Sequence, residues 1–233
     1  MCQPGIPLFL ASPRTVEGSY ATHIVRGRES IVPLPKNFSF AEGAALMHAG
    51  TCAWIALEAA QLRRGQKLLV HGGAGAIGGM AVQIAKHRGA FVATTCSSRN
   101  AGYARGLGAD LVVEYDREDF VERCQGYDAV LDLVGGEVHE RSYKVLAKGG
   151  ALVWLIAKPI VDRSAELGVR TIQAHIKDDP KALAAVIGLA GEGAIKAQVS
   201  RVMPLAQAEE AHRILEAGKN SRGRIVLATR IGN

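Results

Sequence analysis

Gly73, Gly75 and Gly78 fall at the spacing G-x-G-x-x-G inside HGGAGAIGG (residues 71–79), a stretch in which five of nine residues are glycine. That spacing suits the diphosphate of a dinucleotide. The first glycine allows a tight turn, the second lets backbone approach the pyrophosphate, and the third lets helix and sheet pack closely. The motif counts only in context, after a strand and at the opening of a helix. Here the apolar run LLV precedes it and the helix-like MAVQIAKHRGA follows. The opening N–H groups and positive dipole end of that helix then face the phosphates. A glycine-rich turn of an ordinary α/β sheet is the alternative, and the context on both sides favours the nucleotide.

Discrimination between NAD and NADP falls about 20 residues on, where an Asp or Glu would hold the ribose hydroxyls of NAD. The sequence there is TTCSSRN, and no acidic residue occurs between Glu58 and Asp110. Ser97, Ser98, Arg99 and Asn100 offer hydroxyl, guanidinium and amide donors suited to a 2′-phosphate, which a carboxylate would repel. A polar helix cap with a solvated arginine is the alternative reading. NADPH is favoured.

These residues need strands and helices to hold them. From Lys67 the pattern alternates: strand KLLVH, a helix over 76–86, strand AFVATTC, a helix over 101–107, strand LVVEY and a short acidic helix. Strand DAVLDLV, a helix over 137–145, strand ALVWLIA and strand VRTIQAHI follow. The strands are short, almost wholly apolar and rich in Val and Leu, as in a parallel sheet covered on both faces. The fold class is therefore α/β, a doubly wound parallel sheet. Ahead of it, 18–35 reads as two short strands broken by a Gly-Arg turn. Ser39 and Glu42 form a capping box at the start of a helix through ALMHAGTCAWIALEAA. Behind it, Asp179-Pro180 starts a helix. Strand QVSRVM, an amphipathic helix ending near Gly218 and strand RIVLAT complete the chain.

The 233 residues, with 48% hydrophobic and 21% charged content, read as an ordinary soluble globular protein. No apolar stretch is long enough to predict a transmembrane helix, and the first residues do not read as a cleaved signal peptide. Cys2, Cys52, Cys96 and Cys124 have no CxxC spacing, which fits reduced thiols of a cytoplasmic protein better than disulfides or zinc. A net charge of +6 suits anionic ligands. The basic residues form no run, so nucleic-acid binding is a weak alternative, testable by its steep salt dependence.

The ordered motifs GSYATHIV, LPKNFSFAEGAAL, GTCAWIAL, LRRGQKLLVHGGAGAIGGMAVQIAK, LGADLVVEY, AVLDLVGG, RVMPLAQAEEAH and SRGRIVL carry a resemblance over nearly the whole chain. The sequence resembles the medium-chain dehydrogenase/reductase superfamily, specifically its zinc-independent, quinone-oxidoreductase-like branch. The resemblance implies a Rossmann domain over 46–178. It also implies a partial, barrel-like catalytic domain drawn from both chain ends, 1–45 and 179–233, lacking most of its N-terminal part. Ala76 and Ile77 would present backbone N–H groups to the pyrophosphate. Ser97, Arg99 and Asn100 would lie at the 2′-phosphate, with Tyr115 flanking the adenosine. Val134 and Gly135 would pass along the cofactor ribose, and residues 155–157 would approach the nicotinamide. The strand at 169–176 would pair with its symmetry mate in a homodimer.

Departures from the family pattern are specific. Many relatives carry Ala at Gly73, a change the loop should tolerate, and Lys at Asn100. Cys52 replaces a Thr near the nicotinamide. His48 stands where zinc-dependent members place a metal-binding Cys, but its companion ligands are missing, so no metal is expected. The expected function is NADPH-dependent hydride transfer to an electrophilic small molecule, a quinone or an α,β-unsaturated carbonyl. A nucleotide-binding module, or a short form with little catalytic activity, is the alternative. No general-acid constellation stands out, so the catalytic residues are unknown. His48 and Cys52, four apart on one helix, are the nearest candidates and read more readily as packing.

Overall fold

A computed structural model describes residues 8–10, 18–25, 31–155, 160–176 and 179–229. Short strands β1 (Leu8–Leu10) and β2 (Ile31–Pro33) pair antiparallel, and the long helix α1 (Phe40–Ala60) follows. The sheet region then alternates: β3 (Lys67–His71), α2 (Ala76–His87), β4 (Phe91–Cys96), α3 (Ala101–Gly106) and β5 (Leu111–Glu114). It continues with α4 (Phe120–Arg123), β6 (Tyr127–Asp132), α5 (Glu137–Ser142), β7 (Leu146–Trp154), α6 (Ser164–Leu167) and β8 (Arg170–Gln173). Last come α7 (Pro180–Gly191), β9 (Val199–Pro204), α8 (Ala208–Glu216) and β10 (Arg224–Ala228).

The chain forms two compact units, residues 52–176 and residues 1–51 with 177–233. The first holds a six-stranded, wholly parallel sheet in the order β5-β4-β3-β6-β7-β8. Counted from β3 this is the Rossmann order 3-2-1-4-5-6, so the fold is the doubly wound α/β class. The central strands are mostly apolar and buried on both faces, leaving only Lys67 exposed in β3 and Phe91 in β4. On one face Leu69, Ala93, Val113, Val130 and Leu152 pack with Phe120, Tyr143 and Val145. Right-handed crossovers running opposite ways from β3 and β6 make their junction the topological switch point, where the loops after both strands open into one crevice.

In the other unit β9 and β10 pair parallel, and Met203, Ala211 and Ile214 form a small core with Ile225 and Leu227. The expected capping box is present: Ser39 N–H and Oγ–H both donate to Glu42 Oε2 (2.8 and 2.7 Å), and Glu42 N–H donates to Ser39 Oγ (3.3 Å). Those bonds hold the Glu42 carboxyl below its ordinary value. Asp179 caps α7, accepting from Lys181 N (2.9 Å) and Ala182 N (3.1 Å), with Pro180 in the first turn.

Local patterns misled in three places. Residues 18–25 form no strand and are nearly all exposed, so they have no face to bury, while β2 pairs instead with Leu8–Leu10. The helix expected over 137–145 ends at Ser142 and tightens into a 3-10 turn over Tyr143–Val145, because β7 begins at the next residue. The strand expected over 169–176 is reduced to Arg170–Gln173.

Candidate cofactor site

The glycine loop leaves β3 at His71. The left-handed residue of the turn is Gly72 (φ +76°), whose N–H donates to Thr95 O at 3.1 Å; Gly73 N–H shares that acceptor at 3.2 Å. The tight turn thus belongs to Gly72, one residue ahead of the motif. Gly73 is required by space: a Cβ there would stand 1.9 Å from Thr94 Oγ1 and 2.8 Å from Thr94 Cβ. Thr94 is fully buried and donates its hydroxyl to Val70 O at 2.7 Å. The expectation that this loop tolerates Ala at Gly73 is therefore corrected, because the neighbouring β4 side chain fills the place of the methyl group. A Cβ on Gly78 would lie 2.3 Å from Gly72 O, so the third glycine lets the first turn of α2 rest on the loop backbone rather than on the sheet.

Gly75 is different. Its missing Cβ would meet only Gly72 O, at 3.2 Å, and the residue is the N-cap of α2 with no capping side chain. The first turn of α2 holds no acidic residue, so neither a capping side chain nor a carboxylate of that turn answers the N–H groups of Ala76, Ile77 and Gly78 or the positive end of the twelve-residue helix. The arrangement fits a pyrophosphate.

At the end of β4, Ser97 is the N-cap of a 3-10 turn over Ser98–Asn100. Arg99 is exposed. The Asn100 side chain points inward, with the residue 3% exposed and Nδ2 donating to Ser97 Oγ at 3.2 Å. Tyr115, 63% exposed, follows β5 and is drawn against β4 by its N–H bond to Cys96 O (3.1 Å). The next residue, Asp116, went unnoticed in the sequence. Its carboxylate accepts from Ser98 N–H (2.8 Å) and Ser98 Oγ–H (2.7 Å), and these bonds lower its pKa. The segment free of acids in sequence thus has an acid beside it in space.

Across the switch point, Val134 and Gly135 follow β6. Both amides donate to Asp132 Oδ1 (2.8 and 2.9 Å), while Oδ2 accepts from His139 Nδ1 on α5 at 2.8 Å. Asp132 and His139 are 1% and 0% exposed. Burial pushes the Asp132 carboxyl up, but the bonds from His139, Gly135 and Val134 outweigh it and leave the group below its ordinary value. The sequence gives no sign of this His–carboxylate pair. The two lie seven positions apart in the chain, and only the return of α5 onto β6 joins them. Positive φ at Gly135 (+79°) and Gly136 (+62°) permits the turn Asp132 pins.

His71 connects the same helix to the glycine loop. Ser142 Oγ–H donates to Val138 O (2.6 Å), so it accepts from His71 Nε2–H (3.0 Å); Nδ1 then accepts from Thr95 Oγ1–H (3.1 Å). Thr95 Oγ1 in turn accepts from Gly72 N–H at 3.3 Å. Burial lowers the His71 pKa to about 4, so the ring is neutral, and Phe120 packs edge-on against it at 4.6 Å between centroids.

All eleven residues expected at the cofactor thus lie just beyond the carboxyl ends of β3, β4, β5 and β6 or in the first turn of α2. Of the segment 155–157, residues 156 and 157 lie outside the described residues. His48 is exposed, with Nδ1 3.3 Å from Arg224 Nη2, whereas Cys52 is buried.

Residues 107–227 match the family model described as zinc-binding dehydrogenase. The chain belongs to that family. Among curated relatives, the 2-methylene-furan-3-one reductase of Solanum lycopersicum is 39% identical over 140 residues, 59% of this chain and 36% of the relative. The chloroplastic NADPH-dependent alkenal/one oxidoreductase of Arabidopsis thaliana is 34% identical over the same shares. Among solved structures, the quinone oxidoreductase from Coxiella burnetii superposes with TM-score 0.80 at 33% identity, covering 87% of this chain and 65% of that one. The chain therefore spans about a third of the two curated relatives' length and slightly under two thirds of the solved neighbour's. The family's name implies zinc. Among the described residues no group of three or more His, Cys, Asp or Glu could hold a metal ion, and the guanidinium of Arg224 faces His48 where a cation would need a lone pair. The described residues do not fit zinc. Among them, no helix is long and apolar enough to cross a membrane.

Proposed function

We propose that this chain is an NADPH-dependent, zinc-independent oxidoreductase that reduces quinones or α,β-unsaturated carbonyls. The observation that carries the reading is the uncapped, acid-free N-terminus of α2, opened by Gly75 at the strand-order reversal. The names of the tomato, Arabidopsis and Coxiella relatives support the substrate class, and the Arabidopsis enzyme's name supports the cofactor. In this reading Gly73, Gly75 and Gly78 with the amides of Ala76 and Ile77 hold the pyrophosphate. Ser97, Arg99 and Asn100 surround the 2′-phosphate, the last by fixing Ser97, and Tyr115 flanks the adenosine. Val134 and Gly135 line the ribose. Asp132 holds their backbone still, so the loop does not have to be ordered on binding. The bound nicotinamide supplies the hydride; the protein orients it and keeps water from the reacting face.

We further propose the domain division 1–45, 46–178 and 179–233. A homodimer formed through β8 is supported by the position of that strand at an edge of the sheet, where, among the described residues, one row of backbone groups has no strand partner. A reducing, cytoplasmic setting is supported by Cys52, Cys96 and Cys124, which are buried and form no disulfide. Stopped-flow oxidation of NADPH with a panel of quinones and enals tests the activity. Tight NADPH binding with no turnover on any acceptor would reduce the chain to a nucleotide-binding module.

A further inference from the structure

Ser98 presents two donors in one direction, its N–H and its Oγ–H, which together make a two-pronged grip for an anion. In this structure the anion is the chain's own Asp116, with one carboxylate oxygen on each donor at 2.8 and 2.7 Å. Tyr115 N–H on Cys96 O keeps the segment after β5 against the end of β4, so the approach of Asp116 is built into the backbone. The neighbouring Arg117 acts on its charge and also bonds Glu114 Oε2 at 3.3 Å.

The two forms of a nicotinamide dinucleotide differ here only at the adenosine 2′ position. A 2′-phosphate brings a near-dianion to a place that already holds a carboxylate, and it must evict Asp116 from Ser98 to use those donors. A 2′-hydroxyl meets the same carboxylate as a hydrogen-bond acceptor, the role an acidic residue plays toward the ribose of NAD. We propose that Asp116 sets cofactor discrimination in this protein by holding the Ser98 donors against the 2′-phosphate. It narrows the preference for NADPH that the acid-free end of β4 would otherwise give and keeps NADH usable. The proposal rests on the nucleotide-binding reading above and deepens it at one subsite.

The test measures dissociation constants for NADPH and NADH by nucleotide fluorescence in the unaltered chain and in Asp116→Asn, Asp116→Ala and Asp116→Glu. Removing the charge with Asn is expected to tighten NADPH about tenfold relative to NADH, the factor for one carboxylate against a dianion at roughly 6 Å in water. Ala, which also vacates Ser98, is expected to gain at least as much, and Glu to keep the original ratio. Added salt should shrink the difference between the unaltered chain and the Asn variant. An unchanged NADPH-to-NADH ratio in both Asn and Ala variants overturns the proposal. Failure of the unaltered chain to bind either nucleotide refutes the nucleotide reading itself. Asp116 is exposed, so none of these substitutions opens a hole in the core.

Discussion

Substitution of Gly73 by alanine offers the sharpest check on why the motif begins where it does. The added methyl would stand 1.9 Å from Thr94 Oγ1, 2.8 Å from its Cβ and 3.1 Å from its Cγ2. Thr94 cannot turn aside freely: it is β-branched, fully buried and bonded to Val70 O. Overpacking of this kind costs about 1–3 kcal/mol, and breaking the Thr94 hydrogen bond adds about 1 kcal/mol, giving about 2–4 kcal/mol in all. For a chain of this length that lowers Tm by roughly 5–15 °C. The discriminating assay is a double-mutant cycle read by thermal or urea unfolding. Thr94→Ala removes the worst overlap and leaves the Cβ contact; Thr94→Gly removes all three atoms. The coupling with Gly73→Ala should therefore be favourable and larger for Thr94→Gly, by about 1–3 kcal/mol. Additive effects within about 0.5 kcal/mol would refute the steric account of Gly73.

Two further predictions concern the polar links behind the loops. His71 is neutral when folded because burial depresses its pKa from 6.5 to about 4. Between those values the unfolded chain binds the extra proton, so stability is complete above about pH 6.5 and falls as pH drops toward 4, by about 3 kcal/mol from this group. His71→Gln should flatten the stability profile over that window; an unchanged slope would show that His71 is not the titrating group. Asp132→Ala strips the acceptor from Val134 N, Gly135 N and His139 Nδ1 together and should cost about 3–5 kcal/mol. Asp132→Asn keeps an acceptor for the two amides and should fold better. If the pinned loop matters to the cofactor, Asn should still weaken NADPH binding severalfold in a fluorescence titration, and an unchanged affinity would remove that role from Asp132.

Much of the fold was legible in order along the chain. The runs KLLVH, FVATTC and LVVE became parallel strands because short, mostly apolar segments bury their side chains best inside a covered sheet. The α7 start and the capping box were legible because their partners lie two or three residues apart. Residues 18–25 failed because alternation promises a strand only where another surface exists to bury one face.

By itself, then, the sequence determined the alternation of elements, the position of the glycine loop between β3 and α2, and the donor-rich end of β4. All of these depend on neighbours along the chain. Tertiary structure alone decided why Gly73 must be glycine, where Asp116 goes and what Asp132 and His71 hold. Those outcomes join residues separated by up to 71 positions, as His71 and Ser142 are, or side chains on adjacent strands, as Gly73 and Thr94 are. Such contacts have no local period or spacing to announce them. Only the strand order, which sets β4 beside β3 and returns α5 over β6, brings them within reach.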